Sequence, residues 1–175
     1  INNYLLMEQM AQSYSSLLES INAATAVVTF GRFNPPTAGH ERLFHIMNKV
    51  ANGRDVRVFV SHSNDKSRNP LTSDTKLKYL QTFFSNIKFE CTPEVRDVLD
   101  VLRYLNGTYQ NIIFVAGSDR LENYQRIFNK YNHKEYAYNS IQVISAGERD
   151  GDDVSASKAR EAVAEGSFDK FNALM

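Results

Sequence analysis

The sequence predicts an α/β protein with a Rossmann-like, doubly wound and mostly parallel sheet of about five strands. Three observations lead to this fold class. Apolar, β-branched runs typical of buried parallel strands recur along the chain. The segments between them carry apolar residues at helical spacing. Strand and helix patterns that alternate in this way are typical of βαβ units, which build a parallel sheet with helices on both faces.

Five segments are predicted strands, and most of the gaps between them hold helices. The strand segments are "TAVVTF" (25–30), "VRVFVS" (56–61), the shorter "KFEC" (88–91), "NIIFVAGS" (111–118) and "IQVISA" (141–146). Helical faces are predicted from apolar residues three or four positions apart, for example Val95, Val98, Leu99 and Leu102. Two short helices are predicted to close the chain, at about 155–165 and 167–174, with Gly166 as the stop between them.

The first 22 residues form an amphipathic helix added to this fold. Apolar residues follow one another at intervals of three and four, with Gln, Ser and Glu between them: Met7, Met10, Tyr14, Leu17 and Ile21. We therefore divide the chain into an N-terminal helical extension (1–22) and an α/β domain (23–175). Two interpretations of the extension stay open. It packs on its own domain, or it mediates self-association or docking to a protein partner.

Composition limits the partners of the chain. Twenty basic and twenty acidic residues give a formal net charge of zero, so no overall charge attracts nucleic acid or a membrane surface. A polyanion would have to meet a local basic cluster. One cysteine excludes an internal disulfide, and no apolar run approaches the roughly 20 residues of a membrane span. These features predict a cytoplasmic protein without a membrane partner.

The segment "GRFNPPTAGH" (31–40) directly follows the first predicted strand. Gly31 allows backbone to approach a ligand closely, and two prolines keep the loop open. Gly39 and His40 fall in the first turn of the next helix, where unpaired N–H groups and the helix dipole favour an anion. The side chains of His40 and Thr37 add donors for a phosphate oxygen. The segment therefore predicts an anion site beyond the first strand.

A second segment, "VSASKAREAVAEG" (154–166), complements the first. Ser155 is a plausible N-cap of its helix. Lys158 and Arg160 place positive charge near a helix N-terminus, where the dipole disfavours it unless an anion is bound. Taken together, the two segments predict the two halves of a phosphate clamp.

These two segments resemble the signatures of the HxGH nucleotidyltransferase superfamily, which includes nicotinamide-mononucleotide and phosphopantetheine adenylyltransferases and cytidylyltransferases for glycerol phosphate and choline phosphate. The matching residues are Gly31, Phe33, Asn34, Pro35, Thr37, Gly39 and His40 in the first signature, and Val154, Ser155, Ser157 and Arg160 in the second. The string "VAGSDR" (115–120) is similar to a third family motif. The pattern looks most like a subgroup common in bacteriophage genomes, which would place the protein in the host cytoplasm.

The resemblance implies transfer of a nucleotidyl group from a nucleoside triphosphate to a small phosphorylated acceptor, with pyrophosphate as product and Mg²⁺ held mainly by the phosphates. It gives catalytic roles to His40, Thr37 and Arg160, although Thr37 stands where most members have the first His of the motif. ATP is favoured over CTP on the resemblance alone. The implied nucleotide and phosphate contacts are Gly31, Arg32, Phe33, Asn34, Gly39, Gly117, Asp119, Ser155, Ser157 and Lys158.

The acceptor side is predicted beyond the second strand, where Ser61, Lys66, Arg68 and Lys76 form the local basic cluster that an anionic acceptor needs. A solvated loop is the other interpretation of this cluster. The string "SAGERDGDD" (145–153) is either a lid over the nucleotide or an acidic loop. No set of histidines has the spacing of metal ligands, so no metal held by the protein itself is predicted.

A second class of function stays open as well. The chain could be an inactive nucleotide-binding module that acts as an assembly component through residues 1–22. Direct nucleic-acid binding has no support in the sequence, except that the end of a nucleic acid could serve as the acceptor.

Overall fold

A computed structural model describes residues 2–65, 69–147 and 156–174. It confirms the predicted sheet: five strands, all parallel, in the order β3-β2-β1-β4-β5. The strands are β1 (Thr25–Gly31), β2 (Asp55–Val60), β3 (Lys88–Glu90), β4 (Asn111–Ala116) and β5 (Ser140–Ser145). The prediction of β4 ran two residues too far, because Gly117 caps a 3-10 turn (Ser118–Arg120) that turns the chain away from the sheet.

Seven helices accompany the strands in the described part of the chain. They are α1 (Asn2–Ala23), α2 (Ala38–Ala51), α3 (Ser73–Phe83), α4 (Val98–Leu105), α5 (Leu121–Tyr131), α6 (Ala156–Ala164) and α7 (Phe168–Leu174). Val95 lies before α4 rather than in it, because the Asp97 carboxylate accepts from the N–H groups of Leu99 and Asp100 and starts the helix there. Gly166 separates α6 from α7 with a φ of +69°, as predicted.

Alternating residues of the central strand β1 enter two separate cores. Ala26 and Val28 belong to a cluster on the α4 and α5 face of the sheet. Val27, between them, belongs to a cluster on the α2 and α3 face. Both faces of the strand are therefore buried under helices, which explains its continuous apolar run.

The strand order places a topological switch point beside β1. The chain moves from β1 to β2 and β3 on one side, and then crosses to β4 and β5 on the other. Ligands of open parallel sheets bind outside the carboxyl ends of the strands at such a point. The loop 31–40 leaves β1 there, next to the turn that follows β4.

The described side chains of helix α1 do not pack on the sheet. Every side chain from residue 3 to 19 is exposed, and neither core cluster of the described residues includes a member of α1. The helix runs directly into the amino end of β1, the edge opposite to the loop 31–40. Of the two interpretations left open by the sequence, packing on its own domain is therefore not the observed arrangement. No helix within the described ranges is long and apolar enough to cross a membrane.

Candidate active site

The loop 31–40 is held in shape by the ring of Phe33. Phe33 has a φ of 46°, and its buried ring lies over Gly31, where a Cβ atom would come within 2.7 Å of it. The same ring contacts the His40 imidazole edge-on, with the ring centroids 4.8 Å apart. The space above Gly31, which the sequence assigned to a close ligand approach, is therefore filled by the protein itself. Gly31 is needed for this packing.

The backbone at Thr37 fixes the orientation of His40. Thr37 is the extended N-cap residue of α2, and its backbone N–H donates to Nδ1 of His40 over 2.9 Å. Its hydroxyl lies 3.0 Å from the same nitrogen. Since Nδ1 accepts a hydrogen bond, the proton of the neutral imidazole is on Nε2. His40 therefore presents an N–H donor from the first turn of α2, which is what an anion site at a helix N-terminus requires.

Asn34 ties this loop to the loop between β2 and α3. The Asn34 side chain is buried, and its Nδ2 donates to the carbonyl of Leu71 while its Oδ1 accepts from the Leu71 N–H. A side-chain amide that pairs in both directions with one backbone unit fixes the separation of the two loops. Asn34 precedes Pro35 through a cis peptide bond. Its predicted role in phosphate binding stays a prediction. The side-chain amide of Asn34 already pairs with the backbone of Leu71.

Arg160 joins helix α6 to the loop 31–40. Its Nη1 donates to the backbone carbonyl of Asn34, and its Nη2 donates to the Ser157 hydroxyl over 3.2 Å. The predicted partners from the two halves of the clamp are thus brought together although 126 positions separate them. Ser157 and Lys158 are exposed in the first turn of α6, on the same helix.

The other predicted nucleotide contacts surround this centre in the fold. Arg32 is exposed just beyond β1, and Gly39 lies in the first turn of α2. Gly117 caps the 3-10 turn after β4, and Asp119 is exposed within it beside Arg120. Since β1 and β4 are neighbours, these groups share the carboxyl edge of the sheet.

On the predicted acceptor side, Lys76 is completely buried. Its ammonium group donates to the backbone carbonyls of Ser61 and Ser63 and so holds the start of the β2–α3 loop. Burial lowers the pKa of Lys76 below its ordinary value, because the charged form loses its hydration. The sequence predicted a direct contact with an acceptor for this residue. Its described contacts are with the protein backbone.

Two buried polar atoms in the same region have no hydrogen-bond partner within the described part of the chain. They are Oγ of Ser61 and Oδ1 of Asn69, both in nearly inaccessible side chains. Ser61 lies at the end of β2, and its N–H donates to the carbonyl of Gly31 over 2.8 Å. Buried polar groups are normally paired, so these two atoms are exceptions within the described part of the chain.

Several predicted residues lie outside the described ranges. They are Lys66 and Arg68 in the β2–α3 loop, Ser155 before α6, and residues 148–153 of the acidic string.

Two contacts at the site were missed by sequence reasoning. One is the backbone of Leu71, which pairs with Asn34 and is the last residue of the string "NPL" (69–71). The other is the hydroxyl of Thr29, which donates to the Val115 carbonyl and joins β1 to β4.

The described side chains form no metal cage of their own. Within the described ranges there is no group of three or more His, Cys, Asp or Glu side chains arranged to hold a metal. Mg²⁺ usually keeps several waters and binds through substrate phosphates rather than in an all-protein cage. The expectation of Mg²⁺ held mainly by nucleotide phosphates stays a prediction.

Comparison with known proteins identifies the family. The Cytidylyltransferase-like family model matches residues 28–162, well over half of the chain, so the chain belongs to that family. No curated protein matches it in sequence.

Two solved structures share part of the arrangement at low sequence identity. One is a macrolide-efflux protein from Streptococcus pneumoniae (16% identity, TM-score 0.49), in an alignment that covers 86% of this chain and 55% of that one. The chain thus spans about half the length of that protein. The other is nicotinic acid mononucleotide adenylyltransferase from Plasmodium falciparum, complexed with NaAD (13% identity, TM-score 0.47, covering 85% and 93%).

Proposed function

We propose that this chain transfers a nucleotidyl group, with ATP as the favoured donor, to a small phosphorylated acceptor and releases pyrophosphate. The observation that carries the proposal is the geometry of His40. Its Nε2–H is fixed by the hydrogen bond from the Thr37 backbone to Nδ1, at a helix N-terminus beside the switch point of the sheet. Membership of the Cytidylyltransferase-like family supports the class of reaction.

The proposed reaction is an in-line displacement at the α-phosphorus of the triphosphate. An oxygen of the acceptor phosphate forms a bond to this phosphorus while the bond to the bridging oxygen of the β-phosphate breaks. The electron pair of that bond leaves with pyrophosphate. Phosphoryl-type transfer requires little covalent help, so positioning and charge stabilisation provide most of the acceleration.

His40 stabilises the charge that develops on the α-phosphate oxygens by donating from Nε2. Thr37 acts through His40, because its backbone N–H and its hydroxyl lie against Nδ1 and hold the ring in this tautomer. The sequence also assigns Thr37 a direct hydrogen bond to phosphate. Both roles use a neutral donor, so the substitution of the first motif His by Thr is compatible with activity.

Arg160, Lys158, Ser157 and Ser155 bind the β- and γ-phosphates in this proposal. The two described hydrogen bonds of Arg160, to the Asn34 carbonyl and the Ser157 hydroxyl, use two of the five donors of its guanidinium. The planar fork suits adjacent phosphate oxygens. Mg²⁺, when bound with the triphosphate, neutralises phosphate charge. The segment 117–119, with Asp119 as acceptor for ribose hydroxyls, lies beside the nucleoside.

The acceptor binds at the carboxyl end of β2. The supporting observation is the pair of buried polar atoms, Oγ of Ser61 and Oδ1 of Asn69, that have no partner in the described part of the chain. A phosphorylated acceptor offers oxygens to the Ser61 hydroxyl and hydroxyl donors to the Asn69 carbonyl. Lys66 and Arg68 supply positive charge for its phosphate, and Lys76 holds the loop that carries them.

Pyrophosphate release tests the proposal. Wild type is incubated with ATP or CTP, Mg²⁺ and each of five acceptors: nicotinamide mononucleotide, nicotinate mononucleotide, phosphopantetheine, glycerol 3-phosphate and phosphocholine. We expect turnover with one acceptor class and a fall of about 100- to 1000-fold in kcat for His40→Ala, the cost of removing one preorganised donor. His45→Ala is the matched control, because His45 is exposed on the same helix.

Equal loss in the two histidine variants would contradict the role of His40. Binding of a triphosphate by calorimetry without turnover on any acceptor would instead support the inactive nucleotide-binding module. If the protein binds no triphosphate, both the nucleotidyltransferase and the inactive nucleotide-binding module are excluded.

A further inference from the structure

Helix α1 carries an apolar stripe that the rest of the described chain leaves exposed. We define the stripe by seven side chains, which are between 42% and 80% exposed: Tyr4, Leu6, Met7, Met10, Tyr14, Leu17 and Leu18. Large apolar side chains are normally found singly on a monomer surface. Seven of them on one helix of 22 residues mark an interaction surface.

The stripe occupies one side of the helix. At 100° per residue its seven members fall within an arc of about 160°. The opposite side carries polar side chains, and the two charged residues of the helix, Glu8 and Glu19, lie there. The separation of the two faces is therefore nearly complete, with Leu5 the main apolar exception.

The charge pattern of α1 indicates which partner binds the stripe. An anionic membrane surface attracts helices rich in Lys and Arg, and α1 has neither. A strongly acidic or basic protein partner would need complementary charges beside the stripe, which is uncharged. A second copy of α1 needs only the repeated spacing of three and four residues, which is self-complementary. Glu8 and Glu19 stay outside such a contact, so no like charges oppose each other.

The area is suited to a dimer as well. If each stripe side chain buries on the order of 100 Å² of accessible surface, one copy contributes about 700 Å², close to the roughly 800 Å² per partner of a standard protein interface. The helix, with 22 residues, is about 33 Å long, which accommodates two to three heptads.

We propose that the chain self-associates by pairing of α1 with α1 of a second copy along this stripe. The contact leaves the candidate active site open. Helix α1 joins β1 at its amino end, whereas the loop 31–40 leaves the carboxyl end, about 20 Å away across the seven residues of the strand. Self-association and nucleotide binding are therefore separate properties of the chain, and the proposal does not rest on the proposed reaction.

The test is the mass of the protein in solution as a function of concentration. Sedimentation velocity and light scattering are applied to wild type and to Met10→Glu/Tyr14→Glu, which places two charges in the centre of the stripe. We expect a dimer for wild type and a monomer for the variant, with at least a 100-fold rise in the dissociation constant. Leu17→Glu is the second variant and should weaken the dimer in the same direction.

The matched control is Gln12→Glu/Ser16→Glu, with the same charges at the same spacing on the polar face. It should stay dimeric. Circular dichroism checks that all variants keep their helix content, and a triphosphate titration should give wild-type affinity in each. A wild type that is monomeric at all concentrations would overturn the proposal. A dimer that persists in both stripe variants would overturn it too. So would a wild type that binds lipid vesicles as a monomer.

Discussion

Phe33 shows how packing can maintain an uncommon backbone conformation. A φ of 46° is unfavourable for a residue with a large side chain, and it persists only where the surroundings determine it. Here the ring is buried between Gly31 and His40. The conformation of Phe33 therefore depends on the absence of a side chain at Gly31, and the position of His40 depends on Phe33.

We predict that Gly31→Ala damages both stability and activity. The new Cβ would lie 2.7 Å from the Phe33 ring, which is buried and has no room to withdraw. Overpacking of this kind costs about 1–3 kcal/mol of unfolding free energy. Displacement of the ring also moves His40, and a misplacement of about 1 Å can lower the rate by about 100-fold. Urea unfolding and pyrophosphate release measure the two effects.

Gly53→Ala is the control for Gly31→Ala. It tests the effect of backbone strain without any change in the geometry of the site. Gly53 has a φ of +87°, and a Cβ there would meet no atom within 4 Å. Its substitution should lower the unfolding free energy by about 1 kcal/mol through the backbone alone. Activity per folded molecule should equal that of wild type. If Gly31→Ala behaves in the same way, the proposed contact chain from Gly31 to His40 is wrong.

At this scale the sequence predicts that the two segments meet, but it does not predict the contacts through which they meet. The Arg160 guanidinium donates to the backbone carbonyl of Asn34, which joins the two segments. By contrast, Lys76 was expected to meet an acceptor, and it is buried against carbonyl groups. The burial of a long basic side chain depends on how a neighbouring loop folds over it, and local sequence carries no signal of that.

The β2–α3 connection is anchored at both of its described ends. Lys76 from α3 holds its first residues, and Asn34 holds Leu71 near its end. Between them, Asp65 and Asn69 exchange two backbone hydrogen bonds and one side-chain bond. The two described ends of the loop are therefore anchored beside the carboxyl ends of β1 and β2, where an acceptor is proposed.

We predict a stability change with pH from Lys76. Burial lowers its pKa in the folded protein below 10.5, so between the lowered value and 10.5 the unfolded chain binds more protons than the folded one. Stability attributable to Lys76 therefore rises with pH through this window and is complete above 10.5. Denaturant unfolding at several pH values from 8 to 10 should show that wild type gains stability relative to Lys76→Met.

Lys78→Met is the control for this prediction, because Lys78 is exposed on the same helix. Its difference from wild type should not change across the same pH range. If the difference in unfolding free energy between wild type and Lys76→Met is the same at every pH, the ammonium group is better hydrated than the structure shows.

For the whole molecule, the buried tyrosines on the α4 and α5 face limit stability at alkaline pH. The hydroxyl of Tyr136 donates to the Phe128 carbonyl, and that of Tyr138 donates to the Leu102 carbonyl. Burial raises the pKa of Tyr136 from 10.0 to about 12 and raises the pKa of Tyr138 as well. Both groups keep their protons in the folded state when the unfolded chain has already lost them.

We therefore predict a loss of stability above pH 10. The contribution of Tyr136 is fully present below pH 10 and disappears as pH rises through about 12. At pH 11 the loss from Tyr136 alone is about 1 kcal/mol. Unfolding free energy measured from pH 9 to 11 should fall less steeply for Tyr136→Phe than for wild type. Tyr4→Phe, at an exposed position, should retain the wild-type slope; a shallower slope there would refute the assignment.

The sheet was predictable because its central strand β1 is buried on both faces, which produces a continuous apolar run, while the segments between strands show the helical period. The order of the strands was not predicted, because the connection rules of parallel sheets reduce the possible topologies without selecting one. The exposure of α1 was not predictable, because an amphipathic pattern is the same whether its apolar face meets its own domain or another molecule. Only the tertiary structure separates these two cases.

The contact between Arg160 and Asn34 also has a consequence for synthesis on the ribosome. Both core clusters are made from residues up to 146, so all of their members leave the ribosome before α6 does. At about 5–20 residues per second, α6 follows the last strand by a few seconds at most. Until α6 emerges, the Asn34 carbonyl has no guanidinium to accept from. In the proposed function, the phosphate-binding half of the site would therefore be added to a sheet whose strands are already available.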